Sequence, residues 1–568
     1  MTMRSEQKAV ARTASGDDFG PVWIAFDDSV APPDATGPLA GMRIAVKDNI
    51  DVAGFPTTAA CPAFAYEPER SATVVERLQA AGAHMVGKTN LDQFACGLVG
   101  TRSPYGAVPN AFDARYISGG SSSGSAVAVA RGLVDASLGT DTAGSGRVPA
   151  SFNNIVGLKP TRGLISTRGM IPACRHIDCV SIFAPTVADA VDVFVAAIGH
   201  DAEDPYSRSM PIDLRPMPGR FRFGVPDRLE FFGDALAAAA FDDALARLVD
   251  LGGTRSSFDF SPMTAVARSL YDGPWVAERY AAIKPFFDQH ADAMDPVVRS
   301  IVASGKQYSA ADLFDASDAN GLASQDAAAL WERFDVLVVP TAPTIYRIDE
   351  LAHEPVALNR NLGTYTNFVN LLDMAAIAVP ASMRSDGLPF GITLLGPAGS
   401  DLRLADLAQR FHHASGLTIG ATGRPLPAAR ALARPPTNGA TVRVAVVGAH
   451  LSGLPLNGQL LERGAQLESR VMTAPRYRFY ALPDTTPAKP GLVRVLDDGI
   501  AIEAEVWSMP VEAYGSFVAL VPAPLGIGSL ELADGSTVQG FVCEASAVVD
   551  AQDISHYGGW RAYIASRT

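Results

Sequence analysis

Cysteine and histidine are scarce in this chain. Its five cysteines (Cys61, Cys96, Cys174, Cys179, Cys543) are an odd set in 568 residues with no Cys-x-x-Cys, which excludes a disulfide framework or a zinc clip as the organising device. Nine histidines are scattered, only His412 and His413 being adjacent, and no His-Glu-x-x-His occurs, so a metal centre is not expected. No uninterrupted apolar run reaches membrane-spanning length, and the opening "MTMRSEQKAVARTASGDDFG" has basic residues with no apolar stretch behind them. A soluble, cytoplasmic protein is expected. Positive charge is in deficit, with 46 Lys and Arg against 60 Asp and Glu and a formal net charge of −14. Nucleic acid and anionic membrane are poor partners for such a chain, and an anionic ligand would need a cation placed locally for it. What the sequence does have is apolar content, 48% of residues, enough for one large core and a second domain.

The front of the chain reads as α/β. "GMRIAVKDNIDVAG" is a short strand with Lys47 at its end, and "SATVVERLQAAGAHMVGKTN" is an amphipathic helix followed by a strand near residues 84–87. "SAVAVARG" is helical, "LVDASLGTD" is a buried strand over 133–138, and "TAGSGRVPASFNNIVGLKP" is a turn that opens a helix at Gly146. The Pro/Ala-rich stretch "RPLPAARALARPPTNGA" reads as a linker between a domain at 1–430 and another at 441–568. Beyond it, "VRVAVVGAH", "GLVRVLDDGIAIEAEVWSMP" and "VQGFVCEASAVVD" alternate in β fashion with turns at Asp-Gly and Gly.

The stretch "SGGSSSGS" at 118–125 has linker composition, yet it runs straight into an apolar helix at 125–130. Its serines therefore sit at a helix N-terminus, where free N–H groups favour developing negative charge. A phosphate loop is excluded because no Lys follows Gly124. Gly120 to Gly124 fits Gly-x-Ser-x-Gly, which would make Ser122 a nucleophile, but the preceding "PNAFDARYIS" is polar and loop-like where a buried strand is required. Ser145 has what Ser122 lacks: a buried strand before it, a helix after it, and small residues in "TDTAG" that open backbone N–H groups to a substrate. A hydroxyl nucleophile needs a base, and Lys47 can serve if burial keeps it neutral near pH 7. Taken singly, the turn also fits an ordinary Ser-capped connection and Lys47 a solvated surface lysine.

Together, "VKDNI", "GGSSSGSAVAVA" and "GTDTAGSGRVPASFNNIVGLKPTRG", in this order and spacing, resemble the amidase signature family over much of residues 41–413. The resemblance implies an α/β fold with a large mixed β-sheet flanked by helices. It implies a Ser-Ser-Lys triad with Ser145 as nucleophile, Ser121 as the bridging serine at a cis peptide bond, and Lys47 as base. It also places the backbone donors of Thr142, Ala143, Gly144 and Ser145 around the substrate carbonyl oxygen. Ser123 stands where the family text more commonly has Gly, which would add a hydroxyl near the site.

"SLYDGPWVAERY" offers Tyr271 just before a helix that Pro274 can open, with Arg279 in its early turns. A guanidinium suits bidentate capture of a carboxylate, although the same segment also fits a surface helix with an exposed Arg. This segment, "GTYTNFVNLLDMAAIAVPA" and the tail resemble the allophanate hydrolase branch of the family. That resemblance implies substrate binding by Tyr271, Arg279 and Gly124, with allophanate cleaved to ammonia and carbon dioxide through N-carboxycarbamate. It implies no cofactor, a pathway link to a biotin-dependent urea carboxylase, and a homodimer. The tail segment "AVVGAHLSGLPLNGQL" resembles the branch's smaller, β-rich α+β C-terminal domain, related in fold to gamma-glutamylcyclotransferases. His450 in it is either an acid/base for a second step or a structural turn residue. Another amidase of the family, or the glutaminase component of an amidotransferase, is the alternative, and it leaves Arg279 and the tail without a role.

Overall fold

The computed structural model describes residues 21–27, 36–435, 441–483 and 485–567. The basic opening stretch and residues 436–440 of the Pro/Ala-rich segment lie outside them. Two compact units emerge: one comprises the described part of Met1–Asp213 with Met217–Arg434, the other Leu214–Pro216 with the described part of Pro435–Thr568. No helix among the described residues is long and apolar enough to cross a membrane.

In the first unit eleven strands form one mixed sheet: β1 (Trp23–Phe26), β2 (Arg43–Lys47), β3 (His84–Thr89), β4 (Ala136–Asp141), β5 (Val156–Lys159), β6 (Cys179–Ala184), β7 (Phe221–Pro226), β8 (Gly253–Phe258), β9 (Val336–Pro340), β10 (Ala375–Met383) and β11 (Pro389–Gly396). Their order is β1-β3-β2-β4-β6-β5-β10-β11-β9-β7-β8. The centre of the sheet is antiparallel from β4 through β9, while β3-β2-β4 and β9-β7-β8 run parallel. Strands β4, β5, β6, β9 and β11 are buried at every position, which is why they read as short continuous apolar or small-residue runs rather than alternating ones.

Helices α1 (Thr73–Ala80), α2 (Ser123–Ala130), α3 (Val148–Phe152), α4 (Val187–Ala197), α5 (Ala235–Asp250), α6 (Ser261–Asp272), α7 (Val276–His290), α8 (Pro296–Ser304) and α9 (Ala310–Arg333) follow in chain order. Helix α2, "SGSAVAVA", is buried all round. Its Gly, Ala and Ser residues leave room for the sheet, and Ser125 is bonded to β4 in both directions: its hydroxyl donates to the Leu138 carbonyl at 3.0 Å, and its carbonyl accepts the Ser137 hydroxyl at 2.8 Å. Burying a Val such as Val127 or Val129 contributes about 1.5–3 kcal/mol. A charge introduced on this helix would meet core on every side.

Several boundaries differ from the sequence expectation. Helix α2 starts at Ser123 rather than 125, β4 runs to Asp141 rather than ending at 138, and α3 starts at Val148 with Pro149 in its first turn rather than at Gly146. Tyr271 lies inside the last turn of α6, and the helix after Pro274 begins at Val276. Near the end of the unit, β12 (Thr418–Ile419) pairs with β13 (Arg424–Pro425), so the start of the Pro/Ala-rich segment is tied down.

The second unit is built on a five-stranded sheet of β14 (Thr441–Val446), β15 (Gln466–Met472), β18 (Glu503–Pro510), β19 (Leu525–Glu531) and β20 (Thr537–Cys543). Its order is β15-β18-β14-β20-β19. A smaller sheet holds β16 (Tyr477–Ala481), β17 (Pro490–Arg494) and β21 (Gln552–Asp553). Tyr477, Phe479, Trp507, Phe541 and Trp560 belong to its buried core. The unit is β-rich α+β, with its own hydrophobic interior.

Candidate active site

Lys47 ends β2 with none of its surface exposed. Its Nζ donates to Ser121 Oγ at 2.8 Å and to Thr140 Oγ1 at 2.7 Å. Burial drives the ammonium down to about 7, against the charges of Asp92, Asp178 and Asp141, which raise it. A neutral amine with an accepting lone pair is therefore well populated near pH 7. The neighbouring Asp48 belongs to a different buried pair, with Lys88 at 3.0 Å.

Ser121 sits on the cis side of Gly120–Ser121. Its carbonyl accepts the Asp92 N–H at 3.0 Å, while the Asp92 carboxylate accepts the N–H groups of Val99, Gly100 and Arg102. A Cβ on Gly120 would lie 2.1 Å from Asp92 Oδ2, so glycine is required for the loop and the serine turn to close up. Ser122, the centre of the Gly-x-Ser-x-Gly match, is turned away: its Oγ donates to the Thr140 carbonyl at 3.1 Å. Ser123 donates to the Asn90 carbonyl at 3.4 Å, so its extra hydroxyl is taken up by a backbone partner.

The turn after β4 carries Ser145, whose Oγ lies 3.4 Å from the Gly97 carbonyl. That is a weak bond, easily exchanged by rotation about the Cα–Cβ bond. The turn is held by Asp141. Its carboxylate accepts Gly144 N at 2.9 Å, Gly146 N at 3.0 Å, and both Nε and Nη2 of Arg147 at 2.9 Å. Burial pushes the Asp141 carboxyl up, but the Arg147 guanidinium outweighs it and holds the acid below the ordinary carboxylate range. From behind, Thr366 Oγ1 donates to the Ala143 carbonyl at 2.6 Å and Asn370 Nδ2 to the Asp141 carbonyl at 2.8 Å. Gly144 has φ +124°, and a Cβ there would fall 2.5 Å from Thr366 Oγ1.

This bracing uses one of the N–H groups expected to line an oxyanion hole. The Gly144 N–H is already donated to Asp141, whereas the N–H groups of Thr142, Ala143 and Ser145 have no acceptor among the described residues. Of the four N–H groups expected to line the hole, three are without an acceptor among the described residues. Gly124 also has a packing role: its N–H donates to the Asn90 carbonyl at 3.0 Å, and a Cβ would lie 2.7 Å from Asn90 N.

Arg279 projects from α7 and is 3% exposed. Its Nη2 donates to Tyr271 Oη at 3.3 Å and the guanidinium lies 5.1 Å from the Tyr271 ring centroid. Nε and Nη1 have no hydrogen-bond partner among the described residues. A buried cation with unused donors is costly unless an acceptor occupies the site in function. Tyr271 also lines a groove of about 1000 Å³ with Arg268, Asp272, Arg360 and Tyr365.

His450, in the second unit, follows β14. Its Nε2 pairs with Gln459 Oε1 at 2.9 Å, its ring stacks on Phe541 at 5.0 Å, and burial lowers its basicity. It lines a cavity of about 210 Å³ with Gly448, Gln459, Lys489 and Phe541. Among the described residues, all five cysteines are unpaired and no group of His, Cys, Asp or Glu is arranged to hold a metal.

Thr140, Asp141, Arg147, Thr366 and Asn370 were not among the residues that the sequence pointed to. Thr140, Asp141 and Arg147 lie within the "GTDTAGSGR" text, where the Asp-to-Arg spacing across a tight turn is a usable signal; Thr366 and Asn370 have none, being more than 200 positions away from the atoms they hold.

Comparison with known proteins places this geometry. The family model described as Amidase matches residues 24–405, and the one described as Allophanate hydrolase C-terminal domain matches residues 442–565. The chain is 48% identical over 543 residues to the urea amidolyase of Saccharomyces cerevisiae, covering 93% of this chain and 30% of that protein. It thus spans less than a third of that relative's length. The solved allophanate hydrolase of Kluyveromyces lactis superimposes with a TM-score of 0.88 at 46% identity, covering 94% of this chain and 89% of that one. A glutamyl-tRNA(Gln) amidotransferase component of Symbiobacterium thermophilum is 35% identical over 408 residues, covering 66% of this chain and 83% of that protein. With the family model spanning most of the chain and the fold matching a solved relative, the chain belongs to the Amidase family, whose chemistry is cleavage of amide C–N bonds.

Proposed function

We propose that this chain hydrolyses allophanate, a urea that carries a carboxylate on one nitrogen. The observation that carries the reading is Arg279, a buried guanidinium with Nε and Nη1 unpartnered beside the Tyr271 hydroxyl. In an acidic chain, such a group suits a small substrate ending in a carboxylate. The second unit's match to an allophanate hydrolase C-terminal domain supports the same substrate.

Catalysis runs through Ser145, Ser121 and Lys47. Ser145 Oγ turns from Gly97 and attacks the terminal ureido carbonyl; its proton passes to Ser121 Oγ as the Ser121 proton passes to the Lys47 amine. The tetrahedral oxyanion is held by the N–H groups of Thr142, Ala143 and Ser145. Collapse returns the proton through Ser121 to the departing nitrogen, and ammonia leaves. Water then attacks the acyl-enzyme by the reverse relay, regenerating Ser145 and releasing N-carboxycarbamate. Loss of carbon dioxide and hydrolysis of the resulting carbamate give the second ammonia.

His450 is proposed as the acid/base that speeds this second stage, within the cavity of its own unit. His450→Ala should leave the first, Ser145-dependent ammonia release within about twofold while carbon dioxide release lags behind it; unchanged carbon dioxide release would assign His450 to packing. The wider setting proposed is cytoplasmic urea breakdown, with a biotin-dependent urea carboxylase supplying the substrate. A homodimer is proposed as the assembly. Helix α9 buries only Ala327 in this chain and exposes Leu313, Phe314 and Leu322.

The substrate assignment is tested by ammonia release from allophanate, malonamate, biuret and glutamine. Allophanate is expected to be used best; glutamine as the best substrate would move the assignment to the amidotransferase type.

A further inference from the structure

Residues 173–178 form a strap between the two halves of the site. At one end Thr142, the first residue of the oxyanion turn, donates from Oγ1 to Asp178 Oδ1 at 2.5 Å. The same carboxylate accepts Ala173 N at 2.8 Å and Cys174 N at 3.1 Å. At the other end the strap is fastened to α7. Cys174 Sγ donates to the Trp275 carbonyl at 3.6 Å, and Glu278 Oε1 accepts the His176 N–H at 3.0 Å and lies 2.6 Å from His176 Nδ1. Glu278 is the residue before Arg279. One buried acid, 4% exposed, thus joins the turn that would hold the oxyanion to the helix that would hold the carboxylate.

We infer that Asp178 is a positioning residue that sets the oxyanion turn, through Thr142, in register with the Arg279 helix. The inference rests on the roles proposed above for the turn and for Arg279. Asp178 touches no reacting atom in this scheme. Its ionised form sets the direction of the bond to the turn: the carboxylate accepts from Thr142 Oγ1, whereas a protonated oxygen at that place would donate to it. The charged and titratable groups around it are Lys47 on β2, Arg279 on α7, and Cys174 and Cys179 on either side of it in the chain. Burial pushes the Asp178 carboxyl up to about 6, with the Thr142 hydroxyl, the two N–H groups and Arg279 opposing. Its charge in turn helps raise Lys47.

A double-mutant cycle on the full chain separates this from simple structural support. Thr142→Val removes the hydroxyl while keeping the shape, and should lower kcat about 10- to 100-fold with KM for allophanate within about twofold. Asp178→Asn should lower kcat similarly, raise that KM several-fold because α7 loses its fastening, and move the acid limb of the rate profile to lower pH because Lys47 loses a charge that raises it. The double variant should be no slower than Asp178→Asn alone. Multiplying losses in the double variant, or Asp178→Asn with unmoved KM and acid limb, would overturn the inference. If Asp178→Asn does not fold, Thr142→Val decides alone: kcat equal to that of the parent overturns it. Labelling of Ser145 by a fluorophosphonate probe repeats the cycle without allophanate. A parent protein that labels rapidly but does not turn over allophanate contradicts the substrate, not the role of Asp178.

Discussion

Ser145→Ala is expected to abolish ammonia release, with a fall in kcat of about 10⁶-fold. The loss follows from covalent catalysis: without the hydroxyl no acyl-enzyme forms, and water bound in its place has no comparable position between the relay and the oxyanion donors. The turn itself should survive, since Asp141, Arg147, Thr366 and Asn370 hold it through groups other than the Ser145 side chain. Unaltered thermal stability with no detectable ammonia is therefore the expected pair of results. Residual activity above about 1% would move the nucleophile elsewhere.

Lys47→Met is expected to cost about 10³-fold or more in kcat, the upper range for removing a general base. Met keeps the apolar stem in a fully buried site, so the variant tests the amine rather than the packing; the hydroxyls of Ser121 and Thr140 lose their shared donor. The parent protein should show the complementary pH behaviour. The base works as the neutral amine, so with the group at about 7 the rate should be nearly full above pH 8 and fall about tenfold per unit well below pH 7. The limb set by Lys47 near pH 7 should vanish in Lys47→Met, leaving only the fall at lower pH as Asp178, at about 6, is protonated. A rate independent of pH between 5 and 8 in the parent protein would remove Lys47 from the role of base.

Much of this site is legible in the sequence because its chemistry is local. Lys47 at a strand end, the Gly/Ser run leading into α2 and the small-residue turn after β4 are all contiguous texts, and the structure joins Lys47 directly to Ser121. Ser122 is distinguishable from a nucleophile in the sequence, since no buried strand precedes it, and its hydroxyl is bonded to the Thr140 carbonyl. What the sequence hides is which donors are already taken. The Gly144 N–H is donated to Asp141, and Gly124 is packed against Asn90, neither of which the local text shows. The braces Thr366 and Asn370 lie at the start of and within a short helix, Asn367–Leu371, placed against the turn by tertiary packing. Boundaries shift for a related reason: Gly139 and Thr140 look like turn residues but are held in β4 by pairing with β6, a tertiary effect that outweighs local propensity.

The carboxylate-binding role proposed for Arg279 would tie the family chemistry to one substrate. Allophanate and biuret have nearly the same shape and differ in a terminal carboxylate against a carboxamide, whose N–H groups would face the unused donors of Arg279. The most direct measurement is kcat/KM for this pair in the parent protein and in Arg279→Ala. A preference for allophanate of about 10²-fold or more, reduced to near parity by the substitution, is the predicted result. Equal use of the two by the parent protein, or a preference that survives in Arg279→Ala, would contradict it.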